Sequence, residues 1–179
     1  VNTFRQLTKL NKLWLHTNQI ETIDAKLFES CTNLKELYLN NNKLARIDVN
    51  TFKQLTYLTT LFLSNNQIDS IDSNLFYKCE NLIELYLSNN KLKRIDVNTF
   101  RQLTKLTILY IHNNQIETID ARLFETCTNL TELSLHTNKL TRIDANTFRQ
   151  LTNLTRLDLD HNQIELIDGK LFESCTYLT

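Results

Sequence analysis

The sequence predicts an α/β repeat: a curved solenoid with a parallel sheet on its concave face and short helical turns or loops on its convex face. Three observations carry this reading. The pattern Leu10, Leu13, Leu15, Asn18, Ile20, Ile23, Asp24, Phe28 recurs seven times at a spacing of 24 residues. Leu13 and Leu15 alternate with outward-facing residues, the period of a strand with one buried face. A unit this short cannot bury its own apolar side, so a core exists only where copies stack. The organisation is one elongated domain over residues 1–179, with seven complete repeats across residues 10–177 and partial repeats at both ends.

Each position of the repeat has a physical reason. The leucine rows continue through Leu34/Leu37/Leu39, Leu58/Leu61/Leu63 and Leu82/Leu85/Leu87, then Leu106/Leu109/Ile111, Leu130/Leu133/Leu135 and Leu154/Leu157/Leu159, so seven strands lie side by side. After each strand comes an asparagine, at 18, 42, 66, 90, 114, 138 and 162. A buried turn needs both donors and acceptors for its backbone, and a carboxamide supplies both while stacking as a ladder. The Ile-Asp pairs ending at Asp24, Asp48, Asp72, Asp96, Asp120, Asp144 and Asp168 read as N-caps for short helical turns. Eight of nine phenylalanines share one position and predict a stacked spine beneath the convex face, and the ninth, Phe62, lies outside it. Cys31, Cys79, Cys127 and Cys175 take the place that Leu7, Leu55, Leu103 and Leu151 fill in the other copies, as small apolar core residues. Their 48-residue spacing resembles no zinc motif, and no internal disulfide is expected.

Composition excludes several function classes. Twenty basic residues balance twenty acidic ones, which argues against nucleic acid or an anionic membrane as a generic partner. No apolar run approaches a membrane span. Gly169 is the single glycine, so a phosphate-binding glycine loop is excluded. No nucleophile, base and orienting group recur together, and no catalytic residue, cofactor or metal is assigned. Nothing in Val1–Lys9 or Tyr177–Thr179 supplies the polar cap that a solenoid end needs. The expectation is a window of a longer protein, or ends covered by another chain.

The consensus LxxLxLxxNx[IL]xxIDxxxFxx[LC]xx resembles the 24-residue typical class of leucine-rich repeats across residues 1–179. That class is usual in extracellular ectodomains, including Toll-like receptors, Slit-type guidance proteins and variable lymphocyte receptors. The resemblance implies a curved solenoid that binds ligands, often on its concave sheet, outside the cell or at its surface. Cysteine-rich caps and loop insertions are not visible. Two sequons, Asn129-Leu-Thr131 and Asn153-Leu-Thr155, are acceptors for N-glycans in a secretory pathway.

With the scaffold subtracted, the outward strand positions vary. One column reads Trp14, Tyr38, Phe62, Tyr86, Tyr110, Ser134, Asp158, an aromatic stripe of five rings spanning about 20 Å at strand spacing. Aromatic anchors mark contact sites, although aromatics also suit strands and cross-strand pairing. The next column holds His16, Asn40, Ser64, Ser88, His112, His136 and Asp160, followed by His161. His112, His136 and Asp160 fall on adjacent strands, a placement that suits a shared cation or pH-dependent binding, against the simpler reading of a solvated face. Glu132, Asp158 and Asp160 make the far end acidic. The expected ligand is a protein or peptide with an apolar segment followed by a basic or hydrogen-bonding group. The alternative is a structural element that builds a filament, matrix or surface layer by homotypic assembly through uncapped ends.

A second beat of 48 residues underlies the first. Alternate copies carry Asn-Gln-Ile followed by Glu21, Asp69, Glu117 or Glu165, and the others carry Asn-Lys-Leu with Arg46, Arg94 or Arg142 nearby. Opposite charges therefore neighbour one another along one flank, a relic of duplication worth only about 0–1 kcal/mol per exposed pair.

Overall fold

A computed structural model describes Phe4 and residues 6–179, so Val1, Asn2, Thr3 and Arg5 of the expected N-terminal partial repeat lie outside the described residues. Seven three-residue strands form one sheet: β1 (Lys12–Trp14), β2 (Glu36–Tyr38), β3 (Thr60–Phe62), β4 (Glu84–Tyr86), β5 (Ile108–Tyr110), β6 (Glu132–Ser134) and β7 (Arg156–Asp158). They pair in parallel and in chain order. Equivalent residues stand opposite one another throughout, Leu13 beside Leu37 and Leu37 beside Leu61. A strict sequence period leaves no other register that keeps every leucine on the buried side.

The asparagines tie the layers together. Asn114 accepts the Leu92 N–H of the preceding copy on its Oδ1 at 3.0 Å, and its Nδ2 donates back to the carbonyls of Leu87 and Ile111 at 3.1 and 3.0 Å. The same arrangement recurs at Asn42, Asn66, Asn90, Asn138 and Asn162. The carboxamides bond the turn backbone of their own and the preceding copy, whose N–H and C=O groups would otherwise be orphaned. The residue before each asparagine holds a positive φ of 51–57°, at Thr17, Asn41, Asn65, Asn89, Asn113, Thr137 and His161. Four of these seven are asparagines, which tolerate the left-handed region best among non-glycine residues.

The convex face departs from expectation in one respect. Among the described residues it contains no helix, only runs of turns closed by bonds between residues three apart, such as Leu27 N–H to Asp24 O and Cys31 N–H to Phe28 O, both at 2.9 Å. Segments this short do not repay helix nucleation. The aspartates still begin them: each Oδ1 accepts the N–H two residues on, as in Asp24 to Lys26 at 2.8 Å and Asp96 to Asn98 at 2.9 Å. That makes them turn caps rather than helix caps.

Beneath the turns the phenylalanines stack, with ring centroids 6.3 Å apart at Phe4–Phe28 and 6.4 Å apart at Phe52–Phe76 and Phe100–Phe124. Strands in one sheet lie about 4.8 Å apart. Equivalent points therefore spread from sheet to spine, and that difference bends the solenoid with its sheet inside. The four cysteines are free and buried in the same core, and burial pushes the Cys79 and Cys127 thiols up to about 12. Of the flank charges, Arg46 and Asp69 come together at 4.0 Å while both stay open to solvent. No described helix is long and apolar enough to cross a membrane.

One defect repeats with the 48-residue beat. Thr51, Thr99 and Thr147 are buried with hydroxyls that meet no partner, at the place where Leu75, Leu123 and Leu171 pack in the alternate copies. Each Thr→Val replacement should raise stability by about 1 kcal/mol, read as a higher denaturant midpoint at unchanged slope.

Candidate recognition surface

Each strand places its middle leucine in the core, so its first and third residues point into the concavity. The residue two beyond the strand continues the same face. Three parallel columns result. The central one is the aromatic stripe, and register places Trp14, Tyr38, Phe62, Tyr86, Tyr110, Ser134 and Asp158 directly opposite in succession.

Curvature crowds these rings. Tyr38 stacks on Phe62 with centroids 4.7 Å apart, and Phe62 on Tyr86 at 4.1 Å, both with ring planes nearly parallel. Trp14 meets Tyr38 edge-on at 6.1 Å, and Tyr110 meets Tyr86 edge-on at 5.3 Å. The spacing is the reverse of the phenylalanine spine, because side chains converge on the inner side of a bend and diverge on the outer. Trp14 is 66% exposed, whereas Tyr38, Phe62, Tyr86 and Tyr110 are half-buried by each other. The stripe is a joined platform rather than five separate rings.

Beside it runs a column that sequence reading passed over, apart from Glu132: Lys12, Glu36, Thr60, Glu84, Ile108, Glu132 and Arg156. Its carboxylates hold the tyrosines. The Tyr38 hydroxyl donates to Glu36 Oε2 at 3.0 Å, Tyr86 donates to Glu84 Oε2 at 3.1 Å, and Tyr110 reaches across to Glu132. Burial first, then the Glu132 hydrogen bond, pushes the Tyr110 phenol up to about 12, and burial raises Tyr86 further. These phenols remain neutral donors near neutral pH. The signal was present in the sequence as the Glu-Leu-Tyr triplets at 36–38 and 84–86, where residues two apart share a strand face.

On the other side of the stripe stand His16, Asn40, Ser64, Ser88, His112, His136 and Asp160. His112 and His136 stack with centroids 4.2 Å apart, and Tyr110 leans on His112 at 5.7 Å. His16 and His136 each pair through Nδ1 with the following threonine hydroxyl, at 3.1 and 3.0 Å. Asp160 does not join the two histidines in a group that could hold a metal ion. Its carboxylate lies 3.5 Å from the His161 Nε2 and is exposed, because His161 occupies the left-handed turn position rather than the column. No group of three or more His, Cys, Asp or Glu among the described residues is placed to hold a metal ion. Asp158 is likewise engaged, taking Arg156 from its own strand at 3.1 and 3.2 Å.

Burial lowers the His112 imidazole below its ordinary 6.5, and the neighbouring His136 adds to that, with Arg156 lowering and Asp158 opposing. Its Nδ1 is buried without a partner. The unfolded chain therefore takes up a proton below 6.5 that the folded chain refuses. This contribution to stability is complete above 6.5 and is lost as pH falls toward the depressed folded value. A denaturation series across that window should show stability falling with pH in the parent and a shallower fall in His112→Asn.

Similarity to known proteins agrees with this geometry. Family models described as leucine-rich repeat match residues 5–68, 56–116, 104–164 and 153–178. No curated protein sequence matches the chain. Among solved structures, TLR13 in its complex with ssRNA13 is 32% identical with a TM-score of 0.92, over 99% of this chain and 25% of that one. A leucine-rich repeat protein of Leptospira interrogans is 29% identical with a TM-score of 0.86, over 97% of this chain and 42% of that one. Toll of Drosophila, in its complex with Spatzle, shares the fold at a TM-score of 0.80 and 24% identity, over 98% of this chain and 27% of that one. The chain spans less than half the length of each. With repeat models matching nearly end to end on a seven-stranded parallel solenoid, the chain belongs to the leucine-rich repeat family.

Proposed function

We propose that this chain is a non-enzymatic recognition module of receptor or adhesion type, working at the cell surface or outside it, and that it binds a protein or peptide on its concave face. One observation carries the reading: the scaffold positions repeat almost without change, while the concave columns vary and collect Trp14, Tyr38, Phe62, Tyr86 and Tyr110 into one platform. Stiff aromatic rings give large contact area at small entropic cost, which is why they concentrate at binding hot spots. The flanking residues His16, His112, His136, Asp158 and Asp160, with His161 at the edge, complete the proposed contact surface.

The receptor ectodomains among the structural relatives support a ligand-binding role, and their own ligands differ in kind, an RNA for TLR13 and Spatzle for Toll. Protein is the better fit here. The two basic side chains of the concave columns, Lys12 and Arg156, are each taken by a carboxylate, at 2.7 and 3.1 Å. A phosphate backbone would meet no free cation there.

A peptide library displayed against the whole chain should yield binders whose affinity drops at least about 100-fold in Tyr38→Ala/Phe62→Ala/Tyr86→Ala, a loss of the size expected for hot-spot anchors. The variant should keep its far-ultraviolet spectrum and cooperative unfolding. Binders that hold their affinity in the variant would contradict the proposal.

A further inference from the structure

We infer that Glu84 is the specificity-determining residue of the concave face and that it selects a ligand segment carrying a cationic side chain between apolar ones. The inference rests on the binding role proposed for the aromatic platform. Its evidence is where the structure puts charge. The concave columns hold Glu36, Glu84, Glu132, Asp158 and Asp160 against Lys12 and Arg156 alone. Glu36 is neutralised by Lys12 at 2.7 Å and Asp158 by Arg156. Asp160 faces His161 at the rim.

Glu84 differs from these. It stands at mid-sheet, with Thr60 and Ile108 opposite it on the adjacent strands, so neither neighbour offers a charge. The Tyr86 hydroxyl occupies its Oε2 and leaves Oε1 free, half-buried, at the edge of the closest-packed part of the platform. Phe62 has a ring against each face, Tyr38 at 4.7 Å and Tyr86 at 4.1 Å, so the platform offers a ligand its ring edges. An arginine laid along the ring edges would cover them with its methylene stem while its guanidinium meets the free carboxylate oxygen, and its apolar neighbours would cover Tyr38 and Tyr110. Glu132 lacks this isolation, since Arg156 stands opposite it on the next strand and Tyr110 donates to it. A polyanion would meet an unneutralised carboxylate at Glu84.

Three labelled probes test this on the whole chain: an octapeptide alternating Leu and Arg, its Leu and Glu counterpart, and octauridylate. Eight extended residues reach about 26 Å, enough to cover the stripe. The Leu-Arg peptide should bind with an affinity that falls as salt rises, and the other two should not. Glu84→Gln should weaken it about tenfold. Glu84→Lys should shift preference to the Leu-Glu peptide, a gain that misfolding cannot produce. Failure of the Leu-Arg peptide to bind, equal binding of octauridylate, or unchanged affinity in Glu84→Gln overturns the inference. The proposed binding role survives if the platform substitutions still abolish whatever probe binds. If Leu-Arg binding persists without Tyr38, Phe62 and Tyr86, both fall.

Discussion

The structure depends on a bond that each repeat cannot make alone. An asparagine such as Asn114 closes its own turn through Ile111 O and simultaneously grips Leu92 N–H and Leu87 O of the copy before it. Without the neighbour, half of its hydrogen-bonding capacity has no use and the turn backbone is orphaned. Stacked leucines supply most of the burial. The carboxamide supplies the register, because a hydrogen bond tolerates little sliding where apolar contact tolerates much. From that register come the seven-strand order, the alignment of equivalent residues and the columns on either face.

Columns on a bent stack cannot all have one spacing. The phenylalanine rings stand 6.3–6.4 Å apart on the outside, and the concave rings close to 4.1 Å on the inside. One bend therefore does two things. It spreads the outer face and compresses the inner face into a continuous platform whose side chains take no part in the asparagine bonds between layers, while their backbone carbonyls pair the strands. Variation there costs little stability, so recognition can be rewritten on the inside while the outside is copied.

The sequence was most readable where a position repeats. The strands, the cysteine burial and the phenylalanine spine all follow from period and residue type, since every copy faces the same neighbour. Reading failed where chemistry depends on curvature or on the local turn. Helical turns were expected from Asp24 and its counterparts, yet the segments that follow are too short to nucleate. Asp160 shares a column with His112 and His136, but the contact its carboxylate makes is with His161. Glu84 went unnoticed because its importance lies in what stands opposite it, Thr60 and Ile108, rather than in any motif of its own.

The claim that asparagine couples each layer to the one before it is tested most directly by amide hydrogen exchange on Asn114→Ala. The Leu92 amide loses its acceptor, and the buried Leu87 and Ile111 carbonyls each lose one of two donors, keeping Asn90 and Asn138, a deficit of about 2 kcal/mol. Coupling through this residue predicts fast exchange at Leu92 and at the β4–β5 junction, with slow exchange kept in β2 and β6 and unfolding split into two steps. Exchange at Leu92 as slow as in the parent, with a single unchanged unfolding transition, would contradict it.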